Sequence, residues 1–175
     1  MRKVILLVMA TVYFTSCQES KPRYYSSSAE IDVIKAVVDD YENGNWDEWM
    51  SHYSDTAKIF HNSTEGVSRE VNLRGLKNTV DFIDSYNYTN QEMFYEMIID
   101  DENQIWVYFW GTWVGTLSET GVTLEVPVHI ASLMIDGKVV EEYGYYDTHE
   151  IQEAVKELVM DEVEMEMEVE EEMGE

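Results

Sequence analysis

The amino-acid sequence predicts an α+β fold in which a curved antiparallel β-sheet wraps around helices from the N-terminal half of the chain. Apolar residues recur at helical spacing in segments up to residue 86, whereas long strand-like apolar runs follow between residues 92 and 147. Asp136-Gly137 separates the last two runs, and Asp-Gly between apolar runs is a strong hairpin signal. Helices first and a meander of long strands afterwards favour a sheet packed against the helices.

Four helices are predicted, at 29–43, from about 45 to 53, at 70–86 and at 149–160. The first is indicated by apolar residues at helical spacing, which are Ile31, Ile34, Val37, Val38 and Tyr41. Gly44 follows this helix as a stop signal, because glycine commonly ends a helix. The third helix carries Leu73, Leu76, Val80 and Ile83 on one side.

Five strands are predicted, a short one at 57–61 and longer ones at roughly 92–100, 104–117, 122–135 and 138–147. The sequence Asp-Glu-Asn separates the first two long strands. If the Asp-Gly pair is a two-residue turn, the residues that flank it face each other. A constant register then decides which face of the sheet each later side chain occupies.

The N-terminus has the features of a secretory signal. Met-Arg-Lys opens the chain, and the eleven largely apolar residues that follow are too few to span a bilayer, which takes about 20. Phe-Thr-Ser-Cys then looks like the lipobox of bacterial lipoproteins, which implies a lipid on Cys17 and a lipid anchor in the bacterial cell envelope. The alternative is an ordinary signal peptide with a chance Cys. Residues 1–16 are thus predicted as the signal, and the polar residues 17–28 as a tether.

The chain is strongly acidic, with 36 Asp and Glu against 11 Lys and Arg among 175 residues and a formal net charge of -25. This charge excludes a general nucleic-acid binder, because phosphate contacts need clustered Lys and Arg. Residues 161–175 hold nine acidic residues and no base, which predicts a solvated or disordered tail, with a metal- or partner-binding tail as the alternative. The single Cys excludes an intramolecular disulfide. His spacing supports no metal site, and no cofactor is predicted.

An ordered set of motifs between residues 29 and 160 resembles the nuclear transport factor 2-like superfamily, and within it the SnoaL-like branch of polyketide cyclase and ketosteroid isomerase relatives. The motifs are Gly-Asn-Trp-Asp at 44–47, Tyr-Ser-Asp-Thr-Ala-Lys-Ile-Phe-His at 53–61, and Ile-Asp-Gly-Lys-Val-Val-Glu-Glu at 135–142. The resemblance implies a cone of helices and bent sheet around one apolar pocket. It also implies dimerisation through the outer face of the sheet.

Asp147 is the main candidate for chemistry. The hairpin register places it on one face with Tyr143 and Tyr145, and places His129 and Glu142 on the opposite face unless a bulge intervenes. Its position matches the Asp that SnoaL-like cyclases use as general acid/base, and apolar surroundings would raise the pKa of such a carboxyl. The alternative is that Asp147 caps the helix that follows, since Asp before a helix accepts from its free N–H groups.

His61 is a second candidate, either as a catalytic group or as a polar residue at the pocket rim. Six further residues are predicted to line the pocket, namely Trp46, Tyr53, Trp110, Val128, Tyr143 and Tyr145. A simpler interpretation of Trp46 is that it locks the second helix to the sheet. Two functions follow from these residues. The sequence favours a tethered domain that binds a small hydrophobic molecule or a protein partner, with an isomerase, cyclase or hydro-lyase using Asp147 as the alternative.

Overall fold

The computed structural model describes residues 22–89, 93–154 and 156 of the chain. The helices are α1 (Ala29–Glu42), α2 (Trp46–Ser51) and α3 (Arg69–Val80). The strands are β1 (Tyr24–Tyr25), β2 (Tyr53–His61), β3 (Ile83–Tyr88), β4 (Phe94–Ile99), β5 (Ile105–Leu117), β6 (Thr123–Ile135) and β7 (Lys138–Tyr146). Residues 149–154 are also helical. The predicted signal, Cys17 and the acidic tail lie outside the described residues.

Local sequence signals fix where the first and third helices begin. The Ser28 hydroxyl accepts a hydrogen bond from the Ile31 amide at 3.1 Å, and the Ser68 hydroxyl accepts one from the Val71 amide at 3.4 Å. Each bond satisfies an amide that has no partner within its own helix. The predicted apolar stripe of α1 is confirmed, because its side chains are buried against the sheet.

The described strands form an open seven-stranded sheet in the order β1-β4-β5-β6-β7-β2, and β3 pairs with the half of β5 that β4 leaves free. Most pairs are antiparallel, as predicted, but β2 runs parallel to β7. A parallel neighbour needs a long connection, and here the whole of α3 to β6 supplies it. The four long strands agree with the predicted ranges to within two residues at each end.

Strand β2 begins at Tyr53, four residues before the predicted start at 57, and two other segments differ in kind from the prediction. The predicted helix over 70–86 ends at Val80, because residues 83–88 pair with β5 as an antiparallel strand. Part of the predicted tether belongs to the sheet, since Tyr24–Tyr25 pairs with β4. Arg23 strengthens that contact, with an ion pair to Asp101 at 2.7 Å. Tertiary pairing therefore overrides a weak local preference at both places.

The hairpin between β6 and β7 contains the irregularity that decides the site. Asp136 and Gly137 both have positive φ, as a two-residue primed turn requires, and Ile135 faces Lys138 as predicted. The register then shifts by one residue, because Val139 faces Met134 whereas Glu141 faces Leu133. Val140 is therefore the extra residue of a β-bulge. From Glu141 onward, every β7 side chain lies on the face opposite to the predicted one.

None of the helices in the described part of the chain is long and apolar enough to cross a membrane.

Candidate functional site

A cavity of about 230 Å³ lies between the inner face of the sheet and the three helices. Helix α1 contributes the apolar side chains of Ile34, Val37 and Val38. The sheet contributes Phe109, Trp113, Val126, Val128 and Ile130. Such walls suit a small, mainly hydrophobic molecule, since ligand pockets combine apolar surface with a few placed polar groups.

Glu142 is the central polar residue of the cavity. Its side chain is 4% exposed, and it nevertheless carries three hydrogen bonds. The Tyr53 hydroxyl donates to Oε2 at 2.8 Å, and the Ser132 hydroxyl donates to the same atom at 3.4 Å. The third bond joins Oε1 to Nε2 of His61 at 2.9 Å. A carboxylate removed from water needs such donors, because an unpaired buried charge is strongly destabilising.

His61 connects this carboxylate to Tyr146. Because the Glu142 carboxylate is an acceptor, His61 Nε2 carries the hydrogen in that bond. An imidazole with that single hydrogen accepts at Nδ1, which lies 3.1 Å from the Tyr146 hydroxyl, within reach of a bond that this hydroxyl donates. The result is a continuous chain from the Tyr146 phenol through the imidazole to the Glu142 carboxylate. Its geometry follows the nucleophile–base–orienting-acid pattern of catalytic triads.

The tyrosines of the cavity are held in the protonated form. Burial and the negative charge of Glu142 raise the pKa of Tyr146 to about 12. Burial, with the charge and hydrogen bond of Glu142 adding to it, raises the pKa of Tyr53 well above its usual value. Both phenols therefore remain hydrogen-bond donors at neutral pH.

Two residues bring these groups together. Asn62, with φ of 49°, follows β2, and its side chain extends the ladder by donating to the Tyr146 carbonyl at 2.7 Å and accepting from the Tyr146 amide at 3.1 Å. Asn adopts this left-handed backbone more readily than most residues. Gly144 lies directly under the His61 ring, where a Cβ atom would collide with the imidazole. These two positions set the distance between His61 and Tyr146.

The structure places three of the predicted site residues in the cavity, Tyr53, His61 and Val128. The predictions for Trp46, Trp110, Tyr143 and Tyr145 as lining residues are wrong. Trp46 packs on Tyr41 of α1, so this ring contact joins α2 to a helix and not, as the simpler interpretation had it, to the sheet. Trp110 is on the outer face because of its strand parity, and Trp113 lines the cavity in its place.

Asp147 also lies outside the cavity. It is exposed, and its Oδ1 accepts from the His149 amide at 2.9 Å at the start of the last helical segment. The bond satisfies the free amide of the first helical residue, as the alternative interpretation expected, while the Thr148 carbonyl accepts the first helical bond from the Gln152 amide. The bulge at Val140 explains the difference, because it turns Tyr143, Tyr145 and Asp147 away from the inner face.

Glu142 and Tyr146 are cavity residues that the predicted register placed on the opposite face. A one-residue bulge leaves no reliable mark in a strand that is apolar on both sides. The available signal was the pair of adjacent glutamates in an apolar strand. Two neighbours on a strand point to opposite faces, so one of them had to face inward and needed a buried partner.

The outer face of the sheet carries a row of aromatic side chains across four neighbouring strands. Phe94, Trp110, His129 and Tyr145 are successive cross-strand partners, with ring centroids 5.7, 4.4 and 6.4 Å apart. Their exposure is high for such rings, with 54% for Phe94, 38% for Trp110 and 58% for Tyr145. We call these four residues the outer aromatic row.

Within residues 22–89, 93–154 and 156, no three His, Cys, Asp or Glu side chains lie close enough together to hold a metal ion.

No family profile matches the sequence, and no curated protein is similar to it. Solved structures do share its fold. IdmH of Streptomyces antibioticus, a candidate polyketide cyclase, is 17% identical with a TM-score of 0.59, over 73% of this chain and 98% of that one. A candidate SnoaL-like polyketide cyclase of Shewanella putrefaciens is 11% identical with a TM-score of 0.56, over 77% and 98% of the two chains.

A third similar structure is a protein with a ketosteroid isomerase-like fold from Catenulispora acidiphila, in complex with trimethylamine. It is 12% identical with a TM-score of 0.52, over 66% of this chain and 85% of that one. At these identities the likeness concerns the fold. The chain therefore has the SnoaL-like, ketosteroid isomerase-like fold that the sequence motifs predicted.

Proposed function

We propose that this chain, with its SnoaL-like fold, binds a small and mainly hydrophobic molecule in the cavity and transfers a proton on it, as an isomerase, cyclase or hydro-lyase does. The observation that carries the proposal is the chain of part-buried hydrogen bonds from Tyr146 through His61 to Glu142. The three titratable groups that these hydrogen bonds join lie at an apolar cavity. Such a cavity favours controlled proton transfer between a protein and a carbon acid.

The proposed step moves two protons in one direction. A C–H bond next to a ligand carbonyl breaks as the Tyr146 oxygen takes that proton, and the phenol proton passes to Nδ1 of His61. The products are an enolate and an imidazolium that the Glu142 carboxylate stabilises at 2.9 Å. Isomerisation is completed when the Tyr146 phenol gives a proton to another carbon of the ligand and Nδ1 of His61 returns its proton to the Tyr146 oxygen. Cyclisation is completed when the enolate carbon attacks a second carbonyl and the alkoxide that forms takes the Tyr146 proton, which His61 replaces in the same way. The three residues finish in their starting state.

Hydrogen–deuterium exchange tests this step without knowledge of the natural substrate. The bicyclic ketone 1-tetralone is incubated with the protein in D2O, and loss of the proton signal next to its carbonyl is followed by NMR. We expect exchange faster than in buffer, and a rate at least about 100-fold lower in the Glu142→Gln, His61→Ala and Tyr146→Phe variants, as general acid/base groups contribute about that factor or more. Asp147→Asn is the control and should keep the wild-type rate.

A domain that binds without chemistry is the second candidate, since the apolar walls of the cavity support binding by themselves. Binding of 1-tetralone without faster exchange in the wild-type protein would favour this candidate and contradict proton transfer. Exchange that depends on Asp147 and not on Glu142 would instead favour the residue that the sequence resemblance indicated.

We further propose that a second copy of this chain covers the outer aromatic row. The row is continuous and exposed, and such a patch commonly marks an interface. In a two-fold dimer both copies contribute the same patch. None of the four side chains of the row is acidic, so two copies meet there without the carboxylate repulsion expected of a protein with net charge -25. Sedimentation at tens of micromolar should give dimers for the wild type and for the Ser118→Glu control, and monomers for Tyr145→Glu. Monomeric wild-type protein would contradict the dimer.

Anchoring of the chain to the bacterial cell envelope through a lipid on Cys17 stays a proposal from sequence. Its test is mass spectrometry of the mature protein with the Cys17→Ser variant as the control. Retention of Met1 in the mature protein would contradict it.

A further inference from the structure

The side-chain amide of Asn72 is a donor without an acceptor. Its Nδ2 is buried and, within the described part of the chain, has no hydrogen-bond partner. Asn72 belongs to α3 and lines the cavity together with Leu76 and Thr79, which lie on the same side of that helix. A buried polar group in this state destabilises a fold by about 1–3 kcal/mol, so its presence needs a reason.

The polar side chains around Glu142 already have partners. Tyr53, His61, Ser132 and Tyr146 are joined to Glu142 directly or through one another. The Thr79 hydroxyl donates to the Gly75 carbonyl at 3.0 Å within α3. Elsewhere on the wall, the Trp113 indole donates to the Tyr41 hydroxyl at 3.0 Å, and the Gln152 amide donates to the Thr148 hydroxyl at 3.0 Å.

Local structure does not explain the choice of Asn at this position either. The Asn72 backbone amide bonds to the Ser68 carbonyl as any residue of the first helical turn would. Asn is a weaker helix former than Leu or Ala, because its side chain competes for backbone hydrogen bonds. A Leu at position 72 would favour the helix, fill the apolar wall and remove the unpaired group.

We infer that the Asn72 amide donates to an acceptor oxygen of the bound molecule, so that the cavity selects an uncharged carbonyl compound. The inference rests on the proposed function, since it requires a ligand in this cavity. A carboxylate ligand would also offer an acceptor, but it would share a small apolar space with the Glu142 carboxylate, and like charges repel strongly where water is excluded. A ketone offers the acceptor without the charge.

The size of the cavity sets the scale of that compound. Its volume of about 230 Å³ lies just below the usual range of about 300–1,000 Å³ for pockets that hold drug-sized ligands. One or two fused rings with a single carbonyl therefore fit better than a four-ring skeleton.

A matched pair of ligands tests the inference. The ketone 1-tetralone and the hydrocarbon tetralin share two fused rings and differ in the carbonyl oxygen. Binding of each is followed by NMR through the indole N–H signals of Trp49 and Trp113, which line the cavity. We expect the wild-type protein to bind the ketone about tenfold more tightly than the hydrocarbon, the size of one buried hydrogen bond.

The Asn72→Leu variant should bind both compounds with similar Kd and, without ligand, should melt at a higher temperature than the wild type. Asn78→Leu makes the same replacement at an exposed position of α3 and should keep the wild-type preference for the ketone. Asn72→Leu would then be more stable without ligand and would no longer distinguish the ketone from the hydrocarbon. This combination is expected when a polar group serves the ligand and not the fold.

The possible failures are distinct. If the wild type and Asn72→Leu discriminate equally between ketone and hydrocarbon, or if Asn72→Leu lowers the melting temperature, the role of Asn72 is overturned while binding in the cavity stands. If the wild type binds neither compound, the proposed function is overturned and the inference with it.

Discussion

Aromatic side chains cover both faces of the sheet, but they are organised differently. On the inner face, rings and hydroxyls surround the Glu142 carboxylate, which accepts from Tyr53 and is linked to Tyr146 through His61. On the outer face, the rings of the outer aromatic row pack on one another and reach solvent. The difference teaches that a buried and hydrogen-bonded carboxylate, more than aromatic content, distinguishes the inner face from the outer face.

The adjacent residues Glu141 and Glu142 give the sharpest form of this comparison. Glu142 faces the cavity, whereas Glu141 lies on the outer face and accepts from the Tyr143 hydroxyl at 3.0 Å. Their chemistry is identical, so the effects of replacing them report on position alone. The bulge at Val140 assigns the two positions.

The largest expected effect comes from Glu142→Leu. The change leaves the Tyr53 and His61 donors buried without an acceptor. Each such group costs about 1–3 kcal/mol, so the free energy of unfolding should fall by about 2–6 kcal/mol. Glu141→Leu is the matched control and should change stability by about 0.5 kcal/mol or less, as replacements at the surface usually do. Urea unfolding of both variants measures the difference. Equal losses of stability in the two variants would contradict the placement of Glu142 in the cavity and Glu141 on the outer face.

The second effect concerns the packing of His61 on Gly144. A methyl group at Gly144 would meet the imidazole ring, so Gly144→Ala should destabilise the fold by about 1–3 kcal/mol and displace His61 from Glu142. The control is Gly75→Ala in α3, where a Cβ meets no other atom within 4 Å. That replacement should stabilise the protein by up to about 1 kcal/mol, because Ala is the better helix former. A neutral Gly144→Ala would contradict the close contact.

Alkaline pH should destabilise the inner face. The raised pKa of Tyr146, about 12 against a usual value of 10.0, means that the native state keeps this proton after the unfolded chain has lost it. The free energy of unfolding contributed by this group is therefore complete below pH 10 and falls as the pH rises toward 12. Tyr146→Phe should lose less stability than the wild type between pH 8 and 11. Thermal melts at these pH values measure the losses. If the wild type and Tyr146→Phe lose the same stability, the Tyr146 hydroxyl is exposed to water and not buried.

The smallest expected effect belongs to Asp147. As an exposed cap, it should tolerate Asp147→Asn with almost no change, whereas Asp147→Ala should cost about 1 kcal/mol, because Asn caps a helix about as well as Asp and Ala does not. Thermal melts at neutral pH distinguish these results. Stabilisation by Asp147→Asn would instead indicate a desolvated acid, as expected for a carboxyl inside a cavity.

The sequence predicts the fold well because fold signals repeat along the chain. The apolar stripe of α1, the turn residues Asp136-Gly137 and the long strands each agree with the structure, and errors in one element do not move the others. The motifs at 44–47, 53–61 and 135–142 add the correct superfamily fold.

The site is predicted less well because it depends on single residues. Tyr53, His61 and Val128 line the cavity because their strands keep their faces, while Glu142 and Tyr146 follow the bulge at Val140, which the pattern does not reveal. A shift of one residue exchanges the two faces of a strand. The predicted register lacked this shift and therefore placed Asp147, not Glu142, on the pocket face.

The ring nitrogens of His61 give the most direct test of the account. Nitrogen-15 NMR of histidine-labelled protein reports which ring nitrogen carries the hydrogen. We expect the Nε2–H form in the wild type, because Nε2 donates to Glu142 while Nδ1 accepts from Tyr146. Glu142→Gln should change the His61 signals markedly, and Asp147→Asn should leave them unchanged. If the His61 signals stay unchanged in Glu142→Gln and change in Asp147→Asn, the assignment of Glu142 to the cavity is contradicted.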